Sequence, residues 1–242
     1  MKTLASTSRA AHLLGLALSL CLLSLSSRAE TQPVEVQKTE TKASPIAIGA
    51  EAGTAGFGPD VIITVSKNFT VTGGYTWLNF NYDTSSSDAD YTGKLKLSNV
   101  QAMVNWHPFA GTFHISAGAF LSDNKVTVTG KPKGNATYEI GGTTYTAAQI
   151  GTLSGNAELV KGAAPYVGFG WEKTPVKGGF GLFADIGVLF TSSAKASLSA
   201  TGPVTSDATF QSNLRTEEKK VNDDLKPLRY YPIIKIGVLY RF

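Results

Sequence analysis

From Ser44 to Phe242, apolar and polar residues alternate in short segments separated by turn residues. A period of two places successive side chains on opposite faces, so each segment predicts a strand with one apolar and one mixed face. Eight such segments are legible: Pro45–Thr54, Val61–Ser66, Phe69–Tyr82, Tyr91–Trp106, Phe113–Lys125, Glu158–Glu172, Phe180–Phe190 and Tyr230–Phe242. The last is the clearest. Ile234, Ile236, Val238, Tyr240 and Phe242 share one face, and Ile233, Lys235, Gly237, Leu239 and Arg241 share the other.

The connections sort by parity. Gly56–Asp60 is expected to turn the chain after the first strand, and Asp83–Asp90 forms a polar loop after the third. Lys67-Asn68, His107–Thr112 and Lys173–Gly178, after the even strands, are short. Val126–Ala157 and Thr191–Arg229, after strands five and seven, are long. A soluble sandwich has no reason to arrange loop lengths this way, whereas a membrane barrel has short turns on one side and longer loops on the other. Within the long connections, Tyr138–Tyr145 reads as a small hairpin around Gly141-Gly142, and Thr146–Leu153 as a short helix. Phe210, Leu214, Val221, Leu225 and Leu228 form a helical stripe. Ser206 or Asp207 supplies its cap and Pro227 its end. The stripe is expected to pack on the barrel rim or on the other loop.

The N-terminus supplies the compartment. Lys2 and Arg9 precede an uncharged apolar run, Leu13–Leu25, and Ser27-Arg28-Ala29 places small residues around a cleavage site after Ala29. Residues 1–29 therefore read as a secretory signal peptide. The run is short of the about 20 residues a spanning helix needs. Glu30–Ala43 is polar, contains Pro33 and reads as a flexible periplasmic linker to a barrel at 44–242. Cys21 leaves with the signal, so the mature chain has no disulfide. The formal charge of +4 owes three cations, Lys2, Arg9 and Arg28, to the same segment. The mature chain is close to neutral, which excludes a nucleic-acid footprint.

The terminal strand ending on Phe242 resembles the C-terminal strand of bacterial outer-membrane barrels. The whole layout from Ser44 to Phe242 is similar to the eight-stranded outer-membrane barrel superfamily of opacity and surface-antigen proteins. Trp106-His107-Pro108-Phe109, the glycine-aromatic strands and Ile140–Thr146 also look like an uncharacterised bacterial outer-membrane barrel family. These resemblances imply a location in the outer membrane of a Gram-negative cell, contact with outer-membrane lipid and lipopolysaccharide, and Tyr240 and Phe242 as the signal read by the barrel-assembly machinery. The expected fold is all-β, an eight-stranded antiparallel transmembrane barrel with short periplasmic turns and two long external loops.

In such a barrel the apolar face meets lipid, and Tyr75, Trp77, Trp106 and Trp171 are candidates for aromatic girdles. The other face lines a lumen that eight strands leave just wide enough for side chains to fill. Glu51, Glu172, Asp185, Lys235 and Arg241 are expected there as a charge network, because an unpaired lumen charge is costly. Asp185 should face Lys235, with Glu51 meeting Arg241 or Lys235. His114 and Ser116 share the inward face one pleat apart, a spacing also used by barrel lipid A deacylases, but the sequence places no acid beside them. Scattered histidines offer no metal site, and no phosphate or dinucleotide motif appears, so no cofactor is expected. The expected function is non-enzymatic: a structural or surface-binding protein for lipopolysaccharide, host or environmental ligands. A narrow solute pore and a lipid A-modifying enzyme are the alternatives.

Overall fold

The computed structural model describes residues 44–176, 178–192 and 194–242. The signal peptide and linker assigned to residues 1–43 lie outside the described residues. In chain order the elements are β1 (Ile46–Gly53), β2 (Gly56–Ser66), β3 (Phe69–Ser85), β4 (Ala89–Trp106) and β5 (Phe113–Pro132). They continue with the hairpin β6 (Thr137–Ile140) and β7 (Thr143–Thr146), then α1 (Ala147–Ile150) and β8 (Leu153–Lys173). β9 (Gly179–Phe190), β10 (Lys195–Ala200), α2 (Ala208–Leu225) and β11 (Tyr230–Arg241) complete the chain.

Eight of the strands close an antiparallel barrel in the order β1-β2-β3-β4-β5-β8-β9-β11. β11 returns to β1 through pairs such as Ala50 with Val238. Closure leaves the barrel wall no open strand edge, the condition for crossing hydrocarbon. The alternation is inverted relative to a soluble protein. Ile48, Val61, Val104, Val167 and Ile236 are exposed on the wall, while Asp60, Gln101, Asn105 and Ser116 are buried inside.

The expected turn at Gly56–Asp60 is not there; the chain turns at Thr54-Ala55 and β2 begins at Gly56. These glycines serve close packing instead. A Cβ at Gly58 would lie 1.8 Å from the Tyr75 carbonyl oxygen. Pro59 is accommodated because the ladder to β3 passes from Phe57 to Asp60 without pairing the two residues between. The expected loop at Asp83–Asp90 shrinks to a turn between Ser85 and Ala89, since Tyr82 to Ser85 pair with Gly93 to Asp90. β5 and β8 likewise run past their expected limits to Pro132 and from Leu153.

The barrel therefore rises unevenly. β1 has 8 residues, while β5 and β8 have 20 and 21. Over the tall side the wall changes character at one level. Tyr75, Val100, Leu121 and Ala163 form an outward row in register. Asn79, Lys96, Lys125 and Glu158 form another nearer the outer end. The transition marks where lipid stops being the solvent.

Candidate functional site

The lumen is held by a charge cluster at mid-barrel. β11 and β9 place Lys235 opposite Asp185, and β1 places Glu51 beside them. Lys235 Nζ lies 2.9 Å from Glu51 Oε2 and 3.8 Å from Asp185 Oδ2, with all three residues buried. His114 Nε2 donates to Asp185 Oδ1 at 2.6 Å. Gln101 Nε2 bridges Glu51 Oε1 and Asp60 Oδ1, both at 2.7 Å. Of the two cations open to Glu51 from the sequence, the structure brings Lys235 to it. Asp60 and Gln101 were missed. Asp60 fell inside the presumed turn, although its two-residue spacing from Ile62 and Thr64 continues the inward face of β2. Gln101 carries no charge to flag it.

Glu172 and Arg241 stand apart from this cluster, at the periplasmic end. The Thr174 hydroxyl donates to Glu172, and Arg241 donates to the Thr64 hydroxyl and, at 3.2 Å, to the Pro175 carbonyl. With His107 and Thr70 they line a cavity of about 390 Å³ at that mouth. Arg241 is too near the end of β11 to reach Glu51, which pairs across from Gly237.

Nearer the external end an apolar cluster shares the lumen with the buried polar residues Thr76, Asn99, Ser122 and Asn124. Met103, Phe120, Val160, Tyr166, Leu189 and Ile233 come from five strands and pack into one cluster. The Phe120 and Tyr166 ring centroids are 5.5 Å apart. Gly187 leaves the space that the Tyr166 ring fills, since a Cβ there would sit 2.4 Å from the hydroxyl. His114 and Ser116 are buried below this plug, and the Ser116 hydroxyl has no hydrogen-bond partner. The acid beside His114 is Asp185, but the bond from serine to imidazole that a nucleophile needs is not formed. Among the described residues no group of His, Cys, Asp and Glu is arranged to hold a metal ion.

On the wall, Tyr75 stacks with Trp77 at 5.6 Å, and Trp77 meets Phe57 at 5.0 Å. At the opposite end Trp171 packs against Phe113 and Phe169, and Trp106 is exposed on the same rim. Tyr240 contacts Phe180 and Phe242, and all three are exposed.

The two long connections meet above the barrel and build a second core. Ile140, Tyr145 and Ile150 from the first pack on Phe210 and Leu214 of α2. The Asp207 carboxylate accepts from the Phe210 amide and caps α2. Pro227 follows the helix in a single tight turn, Lys226–Arg229. Lys226 donates to Asp223 at that end and holds its carboxyl below the usual range. Side chains of α2 also seal backbone edges. Asn222 both accepts from the Ala196 amide and donates to its carbonyl, and Glu218 accepts from the Leu198 amide. These bonds occupy the free edge of β10, an exposed strand edge of the kind that invites aggregation. Glu217 and Asn213 tie the helix to Gly141 and to Thr143 and Tyr145. The sequence left the stripe a choice between rim and loop; the structure packs its buried part, Phe210 and Leu214, on the other loop and on β10.

A closed eight-stranded barrel with an apolar wall and a polar lumen is the architecture of outer-membrane β-barrel proteins. Solved structures share this fold. CarO2 of Acinetobacter baumannii aligns with a TM-score of 0.59 at 23% identity, over 84% of this chain and 100% of that one. CarO of the same organism gives 0.59 at 21% identity, over 82% and 98%. Ail, the attachment invasion locus protein of Yersinia pestis, aligns at 13% identity over 83% and 99%, with a TM-score of 0.37, too low to add to the argument. No family model matches the chain, and no curated protein matches it by sequence.

Proposed function

We propose that the protein is a non-enzymatic resident of the outer membrane, exported by a signal peptide that is then cleaved. Its barrel anchors an ordered external cap that binds lipopolysaccharide or a host or environmental ligand. The observation that carries this reading is the cap's own apolar core, with Phe210 fully buried between the two long loops. Loops that only link strands have no need of a core, whereas a core fixes a surface in shape and so supports recognition. The resemblance to surface antigens points the same way.

Two features weigh against the alternatives. The apolar plug of Met103, Phe120, Tyr166, Leu189 and Ile233 obstructs a solute path. Ser116 is buried without a bond to His114, which disfavours lipid A hydrolysis in the lumen. On this reading Glu51, Asp185 and Lys235 stabilise the barrel, Tyr75, Trp77, Trp106 and Trp171 sit at the membrane interfaces, and Tyr240 and Phe242 are read during assembly. The test is planar-bilayer recording on folded protein, folding being scored by a gel shift between unboiled and boiled samples of outer membrane. A silent, heat-modifiable barrel is the expected result. Reproducible single-channel steps would replace this reading with a pore. Lipid A mass spectra that change on expression would replace it with an enzyme.

A further inference from the structure

The outward face of the tall side carries a group of cations at one level. Lys94 and Lys96 alternate along β4, Lys125 lies directly opposite Lys96 on β5, and Lys161 lies on β8 opposite Asp123. Like charges facing each other across a ladder are unfavourable unless something negative joins them. Acids satisfy only part of the group. Lys125 Nζ is 2.9 Å from Asp123, and Lys161 Nζ is 2.7 Å from Glu158. Lys94 and Lys96 are exposed and take part in no ion pair among the described residues.

The level matters as much as the charge. Directly beneath these residues the same strands present Val100, Val104, Leu121 and Val167, all exposed. β1 and β11 carry no lysine on their outward faces, and the cation at the outer end of β11, Arg229, lies over the Tyr230 ring. The outward residues of β1 and β11 are Ile46, Ile48, Ala50 and Ala52, and Tyr230, Pro232, Ile234, Ile236, Val238 and Tyr240. The lysines are therefore grouped on one side, at the height where acyl chains end and headgroups begin. A phosphate there gains a lysine ammonium while its acyl chains cover apolar wall.

We propose that Lys94 and Lys96, supported by Lys125 and Lys161, dock the phosphates of an outer-leaflet glycolipid, whose acyl chains lie along β4, β5 and β8. This names a site and a ligand chemistry within the outer-membrane reading above and rests on it. Lysine is suited to the task as a point charge on a flexible stem that reaches toward the headgroup. The attraction between exposed charges is screened by salt, so occupancy should fall as ionic strength rises.

The test uses the full mature chain, folded in detergent micelles, with bis-phosphorylated lipid A as probe and native mass spectrometry as readout. K94Q/K96Q should lower the bound fraction by about tenfold, a loss of 1.4 kcal/mol, with the heat-dependent gel shift intact. K67Q, in the exposed short turn between β2 and β3 at the opposite end of the barrel, should leave binding unchanged. Dephosphorylated lipid A should bind the wild type as poorly as phosphorylated lipid A binds the double variant. Equal binding by wild type and folded K94Q/K96Q, or equal binding of both lipids, overturns the lysine site while leaving the outer-membrane reading standing. Competition by millimolar inorganic phosphate without lipid would assign the lysines to a soluble anion and also overturn the proposal. A protein that shows no gel shift and is absent from outer membranes overturns both readings.

Discussion

The barrel lumen and the external cap are two interiors built by one chain on opposite rules. The lumen centres on Glu51, Asp185, Lys235, Asp60 and Gln101, buried together and joined by ion pairs and hydrogen bonds. The cap centres on Ile140, Tyr145, Ile150, Phe210 and Leu214, an ordinary apolar core. The difference follows from what each is surrounded by. At mid-barrel the lumen buries charges away from water, so they must complete one another, while its apolar residues pack as a separate cluster nearer the external end. The cap stands in water and gains from removing apolar area, at roughly 25 cal/mol per Å². The comparison teaches that burial alone does not identify a core; the solvent outside decides which residues belong within it.

The contrast can be broken most severely in the lumen. Lys235→Met leaves Glu51 and Asp185 buried without their cation, and a loss of about 3–5 kcal/mol is expected from breaking such a cluster on one side. Urea titration of the folded barrel, followed by the gel shift, measures it. Adding Glu51→Gln and Asp185→Asn to Lys235→Met should recover much of the loss; a triple variant as unstable as the single would show that packing, not charge, is what Lys235 supplies.

Phe210→Ala tests the other interior. Removing a fully buried phenylalanine costs about 3 kcal/mol or more, but here the effect should stay in the cap. Limited proteolysis should cut between Thr191 and Arg229 while the barrel keeps its heat-dependent shift. Simultaneous loss of the shift would mean that the cap and the barrel unfold as one unit.

Smaller changes sharpen the boundary. Asp207→Ala removes the cap of α2 and should weaken the external module by about 1 kcal/mol, visible as faster amide exchange in the first turn of α2. Lys220→Ala breaks an exposed pair with Glu217 and should change stability by less than about 0.5 kcal/mol. A larger effect in thermal melts would show that Glu217 needs Lys220 to keep its hold on the Gly141 amide.

Most strands, the short turns and the helix on Thr191–Arg229 were legible because each is a local repeat. A period of two marks wall and lumen, and a stripe from Phe210 to Leu228 marks one helix face. β10 was not legible, since Lys195–Ala200 is short and gains its place only by pairing with β8. The turn at Thr54-Ala55 was misplaced because glycine and proline in Gly56–Pro59 carry the same local signature whether they turn the chain or let strands approach closely.

The sequence by itself determined the inward and lipid-facing sides of most strands, and that a helix begins at Ser206 or Asp207, because these depend on backbone period and on neighbours a few positions away. Tertiary structure decided that Glu51 meets Lys235 rather than Arg241, that Asp60 and Gln101 complete the cluster, and that Lys96 faces Lys125 at the lipid boundary. It also decided that two loops share one core. Those outcomes depend on strand register around a closed barrel, which arises from all eight strands together and is written in none of them singly.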